Sequence, residues 1–217
     1  MSFSKIASYI FHPVFMPISI FFLLISRVEY FDYIFAFHCR DIYIILFIFT
    51  VCIPICVTLL FSFFLKKSIY LENRKDRILP YFFSLISVLV GYVILSKIIT
   101  LDTVLLNIYL SLFFILLFAF LITLYWKTSL HMTSIGSAVA ICIYINILFG
   151  DFFWITIYCI IISGIVGFAR LNLRSHNLNQ VLFGFLSGLT LEMLLLFNYN
   201  LTTLKISTFL SNIASLL

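Results

Sequence analysis

Apolar stretches over residues 9–25, 42–65, 78–99, 104–125, 132–148, 152–168 and 181–197 follow one another along the chain, separated by short polar breaks. Hydrocarbon offers no hydrogen bonds to stranded backbone groups, and about 20 apolar residues in a helix suffice to cross it. The pattern therefore predicts an all-α polytopic membrane bundle of about six or seven spanning helices. No long Pro/Gly/Ser linker, charged tail or fixed-period repeat divides it, so residues 1–217 read as one domain. Pro13 and Pro17 fall in the first and shortest segment, which is expected to be kinked or re-entrant. The tail 201–217 reads as a short amphipathic helix along the interface.

Three polar stations, at 67–77, 127–131 and 170–176, hold most of the cations. Two predicted crossings separate the first station from the second, and two more separate the second from the third. Each pair of crossings returns the chain to the same side, so all three stations are expected to meet at one membrane face. There Lys67, Arg74, Arg77, Lys127, Arg170 and Arg174 would lie with His131 and His176. Such a cluster repels itself unless an anion neutralises it, which points to phosphate.

Composition sharpens the class. The chain is 64% hydrophobic and 10% charged, with a formal net charge of +5. In a soluble protein that charge would suggest nucleic acid, but here the cations punctuate apolar runs, and anionic membrane lipid is the expected counterpart; no nucleic-acid partner is read. Cys39, Cys52, Cys56, Cys142 and Cys159 form no Cys-x-x-Cys pair or His/Cys cluster and read as apolar packing residues. The opening Met-Ser-Phe-Ser-Lys-Ile carries one lysine and no small-residue cleavage site, so no cleavable leader is expected.

The spacing within the stations carries more. Lys67 is followed after six residues by Arg74, the second station contains Thr128-Ser129-Leu130-His131, and the third runs Ala169-Arg170, five residues, His176, three residues, Gln180. This resembles the type 2 phosphatidic acid phosphatase superfamily, which includes the vanadium haloperoxidases and whose pattern is K-x6-R-P, P-S-G-H and S-R-x5-H-x3-D. Lys67, Arg74, Ser129, His131, Arg170 and His176 match in position and order, over residues 67–188. The chain departs from the pattern at Lys75, at Thr128 and Leu130, and at Ala169 and Gln180. Arg77-Ile78-Leu79-Pro80 offers a second basic-plus-proline anchor for the first motif.

The resemblance implies an integral membrane lipid phosphatase working through a phosphohistidine, with His176 as nucleophile and His131 as the acid for the leaving oxygen. Lys67, Arg74 and Arg170 would cradle the phosphate oxygens, with Ser129, the Leu130 N–H and Lys127 adding donors. Gln180 stands where the family has an aspartate; it can orient the His176 imidazole but brings no negative charge, and Gln180→Asp is expected to preserve or raise activity. No cofactor or metal is expected, and the partner is a phosphorylated lipid among the membrane lipids. The alternative is a phosphatase-like protein without catalysis that binds anionic lipid or scaffolds a membrane complex, which Gln180 favours. A small transporter fits less well, because the charges collect at one face.

Several residues have plainer readings. Lys66, Lys75, Arg77 and Arg174 can snorkel to headgroups, and Trp126-Lys127 is a common interface anchor. Glu192 lies about 24 Å along the helix from His176, which is expected to put it near the opposite surface. Gly184, Ser187 and Gly188 form a small-residue patch suited to close packing or to a lipid tail. A positive-inside count puts the stations on the cytoplasmic side, but setting aside the candidate ligands leaves four cations against four. The resemblance implies an external or periplasmic site on an inner or plasma membrane.

Overall fold

The structure, a computed structural model, describes residues 2–35, 37–64, 66, 73–99, 103–150 and 152–198. Lys67 and the tail 201–217 lie outside the described residues. Ten α-helices are described: α1 Phe3–Ile10, α2 Met16–Arg27, α3 Glu29–Phe35, α4 Cys39–Leu46, α5 Ile53–Phe64, α6 Ile78–Ile98, α7 Thr103–Tyr125, α8 Leu130–Phe149, α9 Phe153–Asn172 and α10 Leu178–Phe197. Six helical stretches are long and apolar enough to cross a membrane: Cys39–Phe64, Lys75–Ile98, Val104–Tyr125, Leu130–Phe149, Phe153–Asn172 and Leu178–Phe197. The protein is an all-α polytopic membrane bundle.

The first apolar segment is not one helix. Pro13 cannot donate to a helical ladder, and the chain turns over residues 11–15, where Phe15 N–H bonds to the His12 carbonyl at 2.9 Å. Helix α2 then restarts with Pro17 in its first turn, where a missing N–H costs nothing. At 12 residues it is about 18 Å long, too short to span alone. Its far end runs into α3, whose Tyr30 and Phe31 pack on Phe149 at the end of α8.

Residues 47–52 join α4 to α5 as a π-helical turn. Pro54 follows and has no N–H to return to the carbonyl of Phe49, five residues back. The Ser87 hydroxyl of α6 supplies the missing donor, at 2.6 Å.

Helix α8 is the centre of the bundle: 67% of its apolar window is buried, against 22–44% for the other spans. It runs parallel to α10 in a register offset by 55 residues, pairing Ser129 with Gly184, Thr133 with Gly188 and Ser137 with Glu192. A Cβ at Gly184 would stand 2.8 Å from the Ser129 carbonyl, and one at Gly188 would overlap the Thr133 carbonyl. The small-residue patch is therefore a backbone-to-backbone seam. Gly150, at φ +83, ends α8 in the left-handed conformation and turns the chain into α9.

The expected depth of Glu192 is corrected by this register. It is fully buried among α7, α8 and α10, facing Ser111 and Ser137, eight residues along α8 rather than at the far surface. Near the other end of the seam a small apolar cluster of Met132, Ile135, Val166 and Val181 underlies the polar stations.

Candidate active site

Helix α10 begins with a capping box. Asn177 Oδ1 accepts from the Gln180 N–H at 3.0 Å, and Gln180 Oε1 accepts from the Asn177 N–H at 3.4 Å. Because that backbone group can only donate, the side-chain atom of Gln180 facing it is the oxygen. The same oxygen lies 3.0 Å from His176 Nδ1, so Nδ1 carries the hydrogen and Nε2 keeps its lone pair. The expected His176–Gln180 contact is present, but by a different route. His176 precedes the helix, and the box, not a helical turn, brings the two together.

His176 is 7% exposed. Burial pushes its pKa down to about 3; the Gln180 hydrogen bond opposes this, and the charges of Arg77, Arg170 and Lys127 add to it. His176 is thus neutral at pH 7. Since the folded-state value lies below the ordinary 6.5, the unfolded chain takes a proton that the folded one refuses, and stability falls as pH drops from about 6.5 towards 3. An NMR titration of 15N-histidine protein is expected to show His176 in the Nδ1–H form, unchanged from pH 5 to 8; protonation within that range would contradict this electrostatic picture.

Arg170, in the last turn of α9, donates from Nη1 to Ser8 Oγ at 3.3 Å. Its Nε is buried without a hydrogen-bond acceptor, and no carboxylate within ion-pairing distance of it is found among the described residues. Beyond α9, Arg174 takes the left-handed conformation at φ +50, and Ser175 Oγ bonds back to the Arg170 carbonyl at 3.0 Å. The resulting turn returns the chain to His176.

At the start of α8, the Ser129 carbonyl accepts the Met132 and Thr133 N–H groups, but its hydroxyl, fully buried, has no partner among the described residues. The first-turn N–H groups of Leu130 and His131 are left over, as at any helix start. His131 Nε2 lies 3.1 Å from the Ser8 carbonyl, which only accepts, so Nε2 carries a hydrogen directed at α1. The His12 ring stands edge-on to His131 at 5.1 Å. Burial, followed by the Arg170 charge, lowers the His12 pKa.

Arg74 and Arg77 part company. Arg74 Nη1 bonds to the Leu124 carbonyl at the end of α7. Arg77, 9% exposed, reaches the Thr128 carbonyl at 3.4 Å and acts electrostatically on His176. The structure therefore brings together His176, Gln180, Arg170 and Lys127, with Arg77 where Arg74 was expected, and places His131 and Ser129 at the adjoining end of α8. Lys67 lies outside the described residues. Ser8 and His12 join the site from the N-terminal segment, and no spacing pattern pointed to them; the His12-Pro13 break was the available signal. Among the described residues no three His, Cys, Asp or Glu side chains gather as metal ligands.

No protein-family model, curated protein or solved structure matches this chain.

Proposed function

We propose that this membrane protein removes phosphate from a phosphorylated or pyrophosphorylated lipid through a phosphohistidine at His176. The observation that carries the reading is a pair of buried donors without acceptors among the described residues, Arg170 Nε and Ser129 Oγ, at the end of the bundle where His176 lies. Buried donors are rarely left unpaired, and phosphate oxygens are acceptors of the right charge. His176 Nε2 makes no hydrogen bond among the described residues and keeps its lone pair, as an attack on phosphorus requires.

In this reading Nε2 forms a bond to phosphorus as the bond to the lipid oxygen breaks. The hydrogen stays on Nδ1, donated to Gln180 Oε1, so the positive charge that develops on the imidazole is met by an amide dipole. Arg77, Arg170 and Lys127 offset the charge on the equatorial oxygens. His131 has committed Nε2–H to Ser8, so it acts as the acid in its imidazolium form, giving the second proton, on Nδ1, to the leaving oxygen and becoming neutral. Water then attacks phosphorus as the Nε2–P bond breaks, its proton passing to the neutral His131 Nδ1, and phosphate is released with both histidines restored. A site at the end of the spans suits a headgroup, and we place it on the external or periplasmic face; a reporter fused after Arg174 that reads cytoplasmic would overturn that placement.

One observation favours a second reading, an anionic-lipid binder without turnover: the His131 N–H is held by a backbone carbonyl rather than free for a leaving group. A phosphate-release assay on purified protein over phosphatidate, phosphatidylglycerol phosphate and polyprenyl pyrophosphate separates the two. Turnover is expected, with Arg77→Met lowering it by about 10²-fold or more and Arg74→Met by less than about 10-fold. Binding without release by any of these lipids would favour the second reading.

A further inference from the structure

The fully buried carboxyl of Glu192 sits two turns below Gly184 along the α8–α10 seam, away from the phosphate chemistry. Ser137 Oγ of α8 donates to its Oε2 at 2.7 Å. Ser111 Oγ of α7 contacts its Oε1 and also lies 2.9 Å from the Ile108 carbonyl. Ser111 has a single proton and two oxygens to satisfy.

Counting hydrogens decides the state of the site. Three contacts, Ser137 to Oε2, Ser111 to Oε1 and Ser111 to Ile108, need three hydrogens, and the two serines supply two. If Glu192 were ionised, one contact would be a bare oxygen–oxygen approach, inside a bundle where an unmade hydrogen bond is expensive. With a proton on Oε1 every contact closes: Glu192 donates to Ser111, Ser111 to the Ile108 carbonyl, and Ser137 to Oε2. Charge leads to the same answer. The groups that face the carboxyl are the two hydroxyls, from α7 and α8, and no charged group acts on it among the described residues. A solitary carboxylate at this depth would lack any compensation.

We propose that Glu192, Ser111 and Ser137 form an intramembrane proton-binding site, with Glu192 carried as the neutral acid at pH 7. The bound proton fastens α7, α8 and α10 to one another at mid-depth. A monovalent cation held by the same oxygens is the competing occupant, and it would require the ionised carboxylate.

Infrared difference spectroscopy of the reconstituted full chain tests this. The wild type is expected to show a protonated-carboxyl C=O band at pH 7 that shifts in D2O, is unaffected by added sodium or potassium, and is lost in Glu192→Gln. Wild-type spectra alone, compared over pH, serve if that variant does not fold. Absence of the band at pH 7, or its loss on adding either cation, would overturn the proposal. The readout does not depend on phosphatase activity, so its failure would leave the reading of His176 standing.

Discussion

Replacing His176 with Ala is expected to reduce phosphate release by about 10⁴-fold or more, since loss of a covalent nucleophile is among the largest single-residue effects on turnover. The series at Gln180 is more discriminating. Gln180→Leu removes both the acceptor for His176 Nδ1–H and half of the capping box, and is expected to slow turnover by roughly 10²-fold. A carboxylate at this position adds the charge that a developing imidazolium lacks. Its length matters: the oxygen of residue 180 must reach both His176 Nδ1 and the Asn177 N–H, and Asp is one methylene short. The earlier expectation for Gln180→Asp therefore passes to Gln180→Glu, which keeps the reach, suits a helix N-terminus and is expected to preserve or raise activity. Steady-state phosphate release from the three variants, each checked for folding, reads the series. Normal turnover in His176→Ala would end the nucleophile assignment.

The largest stability effect is expected at Gly188. An added Cβ there meets the Thr133 carbonyl, a backbone group that cannot swing aside, so Gly188→Ala must push α8 and α10 apart. Overpacking of this kind costs about 1–3 kcal/mol or more and should lower the melting temperature by several degrees in detergent. Gly164 provides the control. Nothing lies within 4 Å of its Cβ position, and Gly164→Ala is expected to be neutral or to stabilise by up to about 1 kcal/mol through helix propensity. Equal melting temperatures for the two variants would mean that the seam is not packed as described.

Much of the architecture was legible because the membrane makes it so. Spans must be long and apolar, and charges must collect where water is, so the helices and the meeting of the polar stations followed from hydrophobic pattern and parity of crossings. Breaks within apolar runs were harder. The prolines of residues 9–25 marked a kinked or re-entrant segment, and the chain does turn there, but nothing in the pattern showed that the turn sets Ser8 and His12 beside His131 and Arg170. Spacing suggested a contact between His176 and Gln180, but its cause is the cap formed with Asn177, which only backbone geometry reveals. In the first station, Arg74 and Arg77 both carry a cation near a turn, and the sequence alone could not tell which one faces inward. The helix start at Ile78 decides it, burying Arg77 against Thr128 while Arg74 closes the end of α7. Glu192 was misplaced in depth because counting 1.5 Å per residue along one helix ignores how the neighbouring helices are set against it.

The central claim is that His176 Nε2 attacks phosphorus, and the most direct measurement is to trap the intermediate. Purified protein quenched during turnover of a lipid phosphate and digested under mildly alkaline conditions, where phosphohistidine survives, is expected to yield a peptide phosphorylated at His176, absent from His176→Ala and from wild type given no substrate. Sustained phosphate release with no phosphate on His176 at any time during turnover would contradict the account.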